Sequence, residues 1–421
     1  MYTKEDALQY IQENDVKFIK LFFTDIFGAI KSLSIQPSEL ERAFETGICF
    51  DASSVRGFLG ITKSDLFIVP DPATLCVLPW RPQTGRVVRF FCNIRYIDGK
   101  PFAGDPRLML KKQVKKAFED GYEIRIGTDC EFYLFKLDEK GEPTLVPHDH
   151  AGYCDLAPRD RGENVRREIC LTLEQMGVHP ESSHHEDGPG QNEVDFRAAD
   201  PMTSADNLAT FKTVVKTVAD RYGLFASFMP KPLADNAGSG LHLMVSLRKN
   251  GKNLFAGDLS DEAKSFIAGI LFRVREITAF LNPLPNSYDR FGAFEAPRYV
   301  SWGRENRSQL IRLPAALEHD GCIELRSPDP SCNQYLAIYL ILAAGFEGIA
   351  EKRVLAAEND LDLYNASAAE TKDLETLPLT QKEAVNLALR SEFVKSVLPQ
   401  VTIDAFEEAE NSARKADFTA V

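Results

Sequence analysis

Up to about residue 100 the apolar positions fall in short runs bounded by turn residues, the texture of strands rather than of helices. The runs 16–25, 30–35, 65–69 and 86–96 predict a sheet. One amphipathic stretch, 38–45, predicts a helix that stops at Gly47. Strands with a single covering helix make a small α+β unit built on one sheet.

Near Asp105 the texture changes. Asp105-Pro106 offers an N-cap followed by proline at the first helical position, and an amphipathic pattern then runs to Gly121. Beyond it, apolar runs at 123–135 and 241–247 predict strands, while helical spacing at 164–176, 204–222, 261–281 and 334–352 predicts helices. The boundary is placed just before Asp105, giving a first domain of residues 1–102 and a larger α+β domain of residues 103–421. Residues 136–163 are polar and rich in Gly, Pro and Asp; the stretch exceeds an ordinary connection and reads as a functional flap. Thr380-Gln381-Lys382-Glu383 predicts a capping box ahead of a helix, and 402–415 predicts another helix.

Composition narrows the partners. A chain of 421 residues builds a large core without staples. Its formal net charge of −13 opposes a phosphate backbone or an anionic membrane, so neither is expected as a partner. An acidic chain that handles anions must reverse its field locally, with metal cations or clustered arginines. The eight cysteines are scattered without a C-x-x-C pair, several in apolar runs such as Phe90-Phe91-Cys92, which reads as reduced core thiols. The amino terminus has no signal-like apolar run, and the longest nearly uncharged stretch, 335–346, is too short to span a bilayer, so a cytoplasmic location is expected.

The candidate chemistry lies in single charges set among apolar residues. There is no G-x-x-x-x-G-K-[ST] loop, and Gly238-Ser239-Gly240 is too short for a dinucleotide fingerprint. Instead, acids recur at Asp129, Glu131, Glu186, Glu193 and Glu324. Residues i and i+2 of a strand share a face, so Asp129 and Glu131 point together. Buried like charges repel, and they stay ionised only beside a cation; an oxygen-rich donor set suits hard Mg²⁺ or Mn²⁺. Arginine partners or a strand edge would account for the same pair. Glycines and a proline within 183–196 would turn the chain so that Glu186 and Glu193 return to one place, while His184 and His185 read equally as ordinary polar groups. Arg290, Arg307, Arg312 and Arg326 form a basic set whose forks suit carboxylates and phosphates, and Glu324 and Arg326 share a strand face. Together these charges describe a site for cations and two anions.

Several short motifs carry a resemblance through their order and spacing: Phe50-Asp51-Ala52-Ser53-Ser54, Met229-Pro230-Lys231-Pro232, Gly238-Ser239-Gly240-Leu241-His242, Asn306-Arg307-Ser308 and Arg326-Ser327-Pro328-Asp329-Pro330. From about Val16 through Ile349 the chain resembles type I glutamine synthetase. That resemblance implies an α+β architecture, an N-terminal β-grasp domain followed by a catalytic domain with a curved antiparallel sheet and flanking helices. It implies ATP-dependent ligation of ammonia to glutamate through γ-glutamyl phosphate. One metal, Mg²⁺ or Mn²⁺, would be held by Glu131, Glu186 and Glu193, and a second by Asp129, His242 and Glu324. Glu181, Ser246, Arg307 and Arg312 match nucleotide or phosphate contacts, and Gly238, Arg290, Glu295 and Arg326 match groups that hold glutamate. Asp51 and Glu295 match the groups that capture ammonium and remove its proton, with Arg307 completing the implied catalytic set. The implied assembly is a dodecamer of two six-membered rings in which Asp51 serves the neighbouring subunit.

Some positions depart from the family's commonest pattern. Asp129 stands where a glutamate is usual, Met244 where a second histidine is common, Ala237 where asparagine precedes the glycine, and Cys322 where a nucleotide-binding arginine is frequent. Asp129 keeps the charge of the usual ligand, so metal binding is expected to survive, whereas Met244, Ala237 and Cys322 bear on ATP and glutamate binding without disturbing the metal set. Two rival functions are ligation of glutamate to an amine such as putrescine or methylamine, and an inactive structural or regulatory relative. Tyr364 is the one match for a modifiable tyrosine in the C-terminal part, and feedback by glutamine is the expected control.

Overall fold

The computed structural model describes residues 2–315 and 321–412. It opens with a helix that the strand-dominated reading omits, α1 (Lys4–Glu13). Thr3 and Asp6 cap it reciprocally, the Thr3 hydroxyl accepting the Asp6 amide and the Asp6 carboxylate accepting the Thr3 amide. There follow β1 (Val16–Thr24), β2 (Ile30–Ile35), α2 (Leu40–Glu45), β3 (Ile48–Asp51), β4 (Asp65–Pro70), β5 (Cys76–Val77) and β6 (Arg86–Arg95). The helix expected over 38–45 is therefore shorter, preceded by a 3-10 turn at Pro37–Glu39. β1 runs antiparallel to β2 and parallel to β6, and the sheet order is β2-β1-β6-β4-β3. β3 ends the sheet, and Asp51 ends β3.

α3 (Pro106–Glu119) begins the larger unit, and Asp105 fastens it to the first sheet. One Asp105 oxygen accepts the Arg107 and Leu108 amides; the other accepts the Ile94 amide at 2.8 Å. Along the chain come β7 (Tyr122–Leu137), β8 (Pro143–Pro147), α4 (Glu163–Gln175), β9 (Pro180–His185), β10 (Gln191–Ala199), α5 (Pro201–Arg221) and β11 (Leu224–Ser227). Next are β12 (Leu241–Lys249), β13 (Lys252–Asn253), α6 (Asp261–Leu281), β14 (Trp302–Arg304), β15 (Ile311–Leu313), β16 (Ile323–Leu325) and α7 (Gln334–Glu351). α8 (Gln381–Arg390), α9 (Glu392–Val397) and α10 (Gln400–Asn411) close the described chain. The second sheet runs β14-β15-β16-β12-β7-β10-β9; only β14 and β15 pair in parallel on that path, and the long β7 is its spine.

Strand alternation divides the two faces of this sheet. Cys130, Phe132, Val194 and Leu243 point into the core, where Phe132 and Phe196 meet Phe211 of α5 edge-on or tilted at 5.9 and 5.7 Å. The residues between them face the other way, and these are the charged ones. Behind the core α6 and α7 cross closely, because Gly269 and Gly348 meet there; a Cβ on Gly269 would lie 2.3 Å from the Ala344 carbonyl.

Three expectations need correction. The stretch 136–163 is not all loop: β8 pairs with β7, so a hairpin precedes the irregular part. At Thr380 the capping box is half formed, since the Thr380 hydroxyl accepts the Glu383 amide, whereas the Glu383 carboxylate turns to the Leu379 amide. Cys92, Cys130 and Cys332 are core thiols, but Cys49 and Cys154 are exposed, Cys49 because it alternates with the buried Ile48 on an edge strand. The helix expected over 402–415 corresponds to α10, and its last three positions lie outside the described residues. Among the described residues no helix is long and apolar enough to cross a membrane.

Candidate active site

Strand register alone assembles an acidic cluster on the cleft-lining face of the second sheet. Glu193 of β10 lies directly opposite Glu131 of β7, and Asp195 opposite Asp129. Asp129 in turn faces His242 of β12, Met244 faces Glu324 of β16, and Glu324 faces Arg312 of β15. On the other flank His184 of β9 faces Glu193. Directly opposed side chains of neighbouring strands stand about 5 Å apart at Cβ, so adjacent rows of the sheet gather carboxylates from three strands, β7, β10 and β16, with imidazoles from β9 and β12. Ligand atoms of Asp129, His242 and Glu324 lie within 4.8 Å of one another, as do those of Glu131, Glu193 and His242. The donor set, carboxylate oxygens with one imidazole, fits hard divalent cations.

Glu186 stands at the margin. It sits on the turn between β9 and β10, with Oε1 2.7 Å from His184 Nε2 and Oε2 accepting the Asp187 amide. It lines the same cleft, of about 680 Å³, but does not join Glu131 and Glu193 in a mutually close trio as the resemblance implies.

The electrostatics follow from the crowding. Burial, then Glu186, push Glu131 up to about 8, against the Gly240 amide and Arg290. Burial and the neighbours Glu131 and Asp195 push Glu193 up to about 12, and burial with Asp195 raises Asp129 well above the usual carboxylate range. His242 is driven down to about 3 by burial and by Arg326, so its ring is neutral and keeps a lone pair. Glu324 behaves oppositely. Although burial opposes it, His242, Arg326 and Arg312 hold its carboxyl down to about 2, and both guanidiniums approach to 2.6 Å.

Those arginines belong to the other wall of the cleft. Arg326, 1% exposed at the side chain, also reaches Glu295, its Nη2 standing 3.5 Å from Oε2 and donating to the backbone carbonyl at 3.2 Å. Arg307, half-exposed at the mouth, lies 3.9 Å from the same carboxylate. Phe294 and Glu295 have φ of 48° and 60°, a left-handed kink in two non-glycine residues that turns Glu295 toward these arginines. Arg290 lies beneath Gly238, where a Cβ would sit 2.6 Å from its Cγ, so glycine is required there.

Not every expected residue enters the cleft. Glu181 is exposed on β9 beside a register shift and pairs with Arg197 at 3.6 Å. Ser246 is half-buried further along the face that carries His242 and Met244 and does not line the cleft. Conversely, Asp195, His184, Gln191 and Tyr153 line it without having been singled out for it. The first three sit two residues from Glu193 or Glu186, so the rule that paired Asp129 with Glu131 would find them. Gln191 donates to Glu131 at 2.8 Å. Tyr153, edge-on to His184 at 5.2 Å, arrives from the 148–162 loop with no local signal.

Comparison with known proteins matches residues 103–418 to the family model for the glutamine synthetase catalytic domain and residues 15–96 to that for the glutamine synthetase beta-grasp domain. The chain belongs to the glutamine synthetase family. It is 47% identical over 404 residues to a glutamine synthetase of Methanosarcina mazei, covering 94% of this chain and 90% of that one. A glutamine synthetase of Clostridium saccharobutylicum is 46% identical, with 94% and 91% covered. Among solved structures, a GmaS/ADP complex has a TM-score of 0.87 at 30% identity, covering 98% and 97% of the two chains. A Plasmodium falciparum glutamine synthetase seen by cryo-electron microscopy shares the fold, with a TM-score of 0.86 at 23% identity over 98% and 96%. In this member of the glutamine synthetase family the β-grasp sheet presents Asp51 outside its own chain's cleft. Asp51 is exposed, its carboxylate accepting from the Ser53 amide and from the Ser53 and Ser54 hydroxyls, which lower its pKa.

Proposed function

We propose that this chain is a glutamate–ammonia ligase that uses ATP to form glutamine, ADP and phosphate. The observation that carries the reading is the joining of two opposite halves at Glu324: a crowd of acids short of positive charge on one side, and arginines suited to anions on the other. A carboxylate has no leaving group, so the γ-phosphoryl of ATP must first move to the glutamate side chain, and this transfer is mostly positioning and charge neutralisation. When bound, two divalent cations, Mg²⁺ or Mn²⁺, at Asp129–His242–Glu324 and at Glu131–Glu186–Glu193 would neutralise phosphate oxygens.

The chain's own groups divide the remaining work. Arg307 and Arg312, with Glu181 and Ser246 further out, attend the nucleotide and the transferring phosphoryl. Arg290, Arg326 and the Gly238 backbone hold glutamate. Glu295, aimed into the cleft mouth, and Asp51 from a neighbouring subunit capture ammonium by charge and accept its proton. Asp51 is exposed and does not line its own chain's cleft, and in this reading it serves a shared site in a ring assembly, a dodecamer of two hexamers, acting in the cytoplasm. In this reading the β-grasp domain spans residues 1–102 and the catalytic domain 103–421.

The test is release of inorganic phosphate from ATP with glutamate and ammonium, beside parallel reactions with methylamine, putrescine and ethylamine. Ammonium should give the highest kcat/KM. An alkylamine that surpassed it would move the activity to γ-glutamyl-amine formation, and no release with any acceptor would leave the chain an inactive relative.

A further inference from the structure

Of the six proposed metal ligands, Asp129, Glu131, Glu193, His242 and Glu324 stand on strands whose ladders fix them, whereas Glu186 stands on a turn. A ligand on a turn needs support from elsewhere. That support comes from a buried charged cage formed with the 148–162 loop.

His185 is 0% exposed, its Nε2 2.8 Å from Asp149 Oδ1 and its Nδ1 2.6 Å from the Glu186 carbonyl. Asp149 Oδ1 also accepts the Gly190 amide at 3.0 Å, and Oδ2 accepts the Arg161 amide at 2.9 Å. One carboxylate therefore grips both ends of the 186–190 turn and the far end of the loop. The Cys154 amide donates to the His185 carbonyl at 3.0 Å, which ties down the loop segment that places Tyr153 over His184. Arg166 closes the cage, forking onto Asp160 and donating to Asn192 Oδ1 at 2.6 Å, while Asn192 donates to the Gly190 carbonyl.

The cage is not itself a cation site. Ligand atoms of Asp149, Asp160 and His185 do lie within 4.8 Å of one another, but the Arg166 guanidinium already supplies the positive charge and backbone amides take the other oxygens. Its chemistry is that of an orienting shell, which fixes the direction in which a ligand points.

We propose that Asp149, acting through His185 and the Gly190 amide, is a positioning residue that holds Glu186 at the metal cluster, so that the 148–162 loop is part of the cation site and not only its cover. The inference rests on the metal-site reading above. It is tested by Mn²⁺ titration of the chelator-stripped full-length protein, with free Mn²⁺ followed by electron paramagnetic resonance. Asp149→Ala should weaken one class of site by roughly 10–100-fold and leave the other unchanged. Glu186→Ala should weaken the same class, and the double variant should be no weaker than Glu186→Ala alone, because Asp149 acts only through Glu186. Asp149→Asn, which keeps an acceptor oxygen, should recover most of the affinity. If Asp149→Ala does not fold, His185→Gln carries the same test. Wild-type protein that binds Mn²⁺ while Asp149→Ala binds it within about twofold at every site overturns the positioning role. Wild-type protein that binds no Mn²⁺ overturns the metal-site reading itself.

Discussion

Glu193 and Glu324 are the same residue type, 8% and 3% exposed, on the same face of one sheet, yet one is driven up to about 12 and the other down to about 2. Burial penalises both charges alike. The neighbours differ. Antiparallel register surrounds Glu193 with Glu131, Asp195 and Asp129, while Glu324 lies between two guanidiniums at 2.6 Å. The acid half over β9, β10 and β7 is therefore short of positive charge and holds protons, whereas the basic half over β15 and β16 is internally neutralised. A single sheet face thus offers a place for cations beside a place for anions, and the signs are set by which strands are adjacent.

The largest effect should come from making the same substitution in both halves. Glu324→Gln strips Arg312 of its carboxylate partner at 2.6 Å and leaves Arg326 only the more distant Glu295 at 3.5 Å, a loss of about 3–5 kcal/mol for a broken buried pair, and should abolish phosphate release. Glu193→Gln replaces a carboxyl that already keeps its proton, so metal-free stability should change by no more than about 1 kcal/mol, the net worth of one hydrogen bond, while activity is lost with the ligand. Urea unfolding of chelator-treated protein reads both, and equal losses would erase the distinction between the halves.

A second experiment asks whether the acid half is complete within one chain. Asp51→Ala and Glu131→Gln should each be inactive alone, because one lacks the donated acid and the other a cleft acid. Mixed, dissociated and reassembled, they should recover activity at roughly a quarter of the sites by random pairing in a symmetric ring. No recovery in a correctly sized mixed assembly would place Asp51 outside the reaction.

The halves were unequally legible in the sequence. Alternation placed Asp129 beside Glu131, and the glycines and proline of 188–190 signalled the turn that brings Glu186 and Glu193 back toward each other, because both signals are local. Which strand lies beside which is non-local, so the facing of Glu324 by Arg312 and of Asp129 by Asp195 could not be read from spacing. The link from Asp149 to His185 spans 36 positions and joins a loop to a hairpin, with no periodicity to announce it. In the fold, α6 matches its predicted span because Ser260 caps a long, strongly apolar stripe. α1 was missed because it is short and polar, burying only Ala7 and Ile11.

Acidity should separate the halves by sign, with a smaller effect. Glu131 keeps its proton to about pH 8 when folded against 4.5 as its ordinary value, so the folded chain carries the extra proton between them. Metal-free protein should accordingly lose stability as pH rises through that window. Glu324 is held to about 2 against 4.5, so its contribution is present above 4.5 and is lost as pH falls toward 2. Urea midpoints across the range should show both limbs, and Mn²⁺ should flatten the alkaline one by replacing the protons. Metal-free stability that climbs from pH 5 to 8 would contradict the crowding account of the acid half.

The smallest effect belongs at the rim, where the acid half meets solvent. Glu181 faces Arg197 at 3.6 Å with both side chains more than half exposed, and such pairs contribute about 0–1 kcal/mol, so Glu181→Gln should leave the unfolding midpoint nearly unchanged. If the acid half extends to the nucleotide, the same change should raise the KM for ATP by roughly fivefold, the equivalent of one hydrogen bond of about 1 kcal/mol, and leave the KM for glutamate unaltered. A unilateral rise would show that β9 serves the nucleotide beyond the cleft proper, its register shift turning Glu181 outward for that contact. An unchanged KM for both substrates would confine the nucleotide to residues that line the cleft, and the acid half would then be a cation site alone.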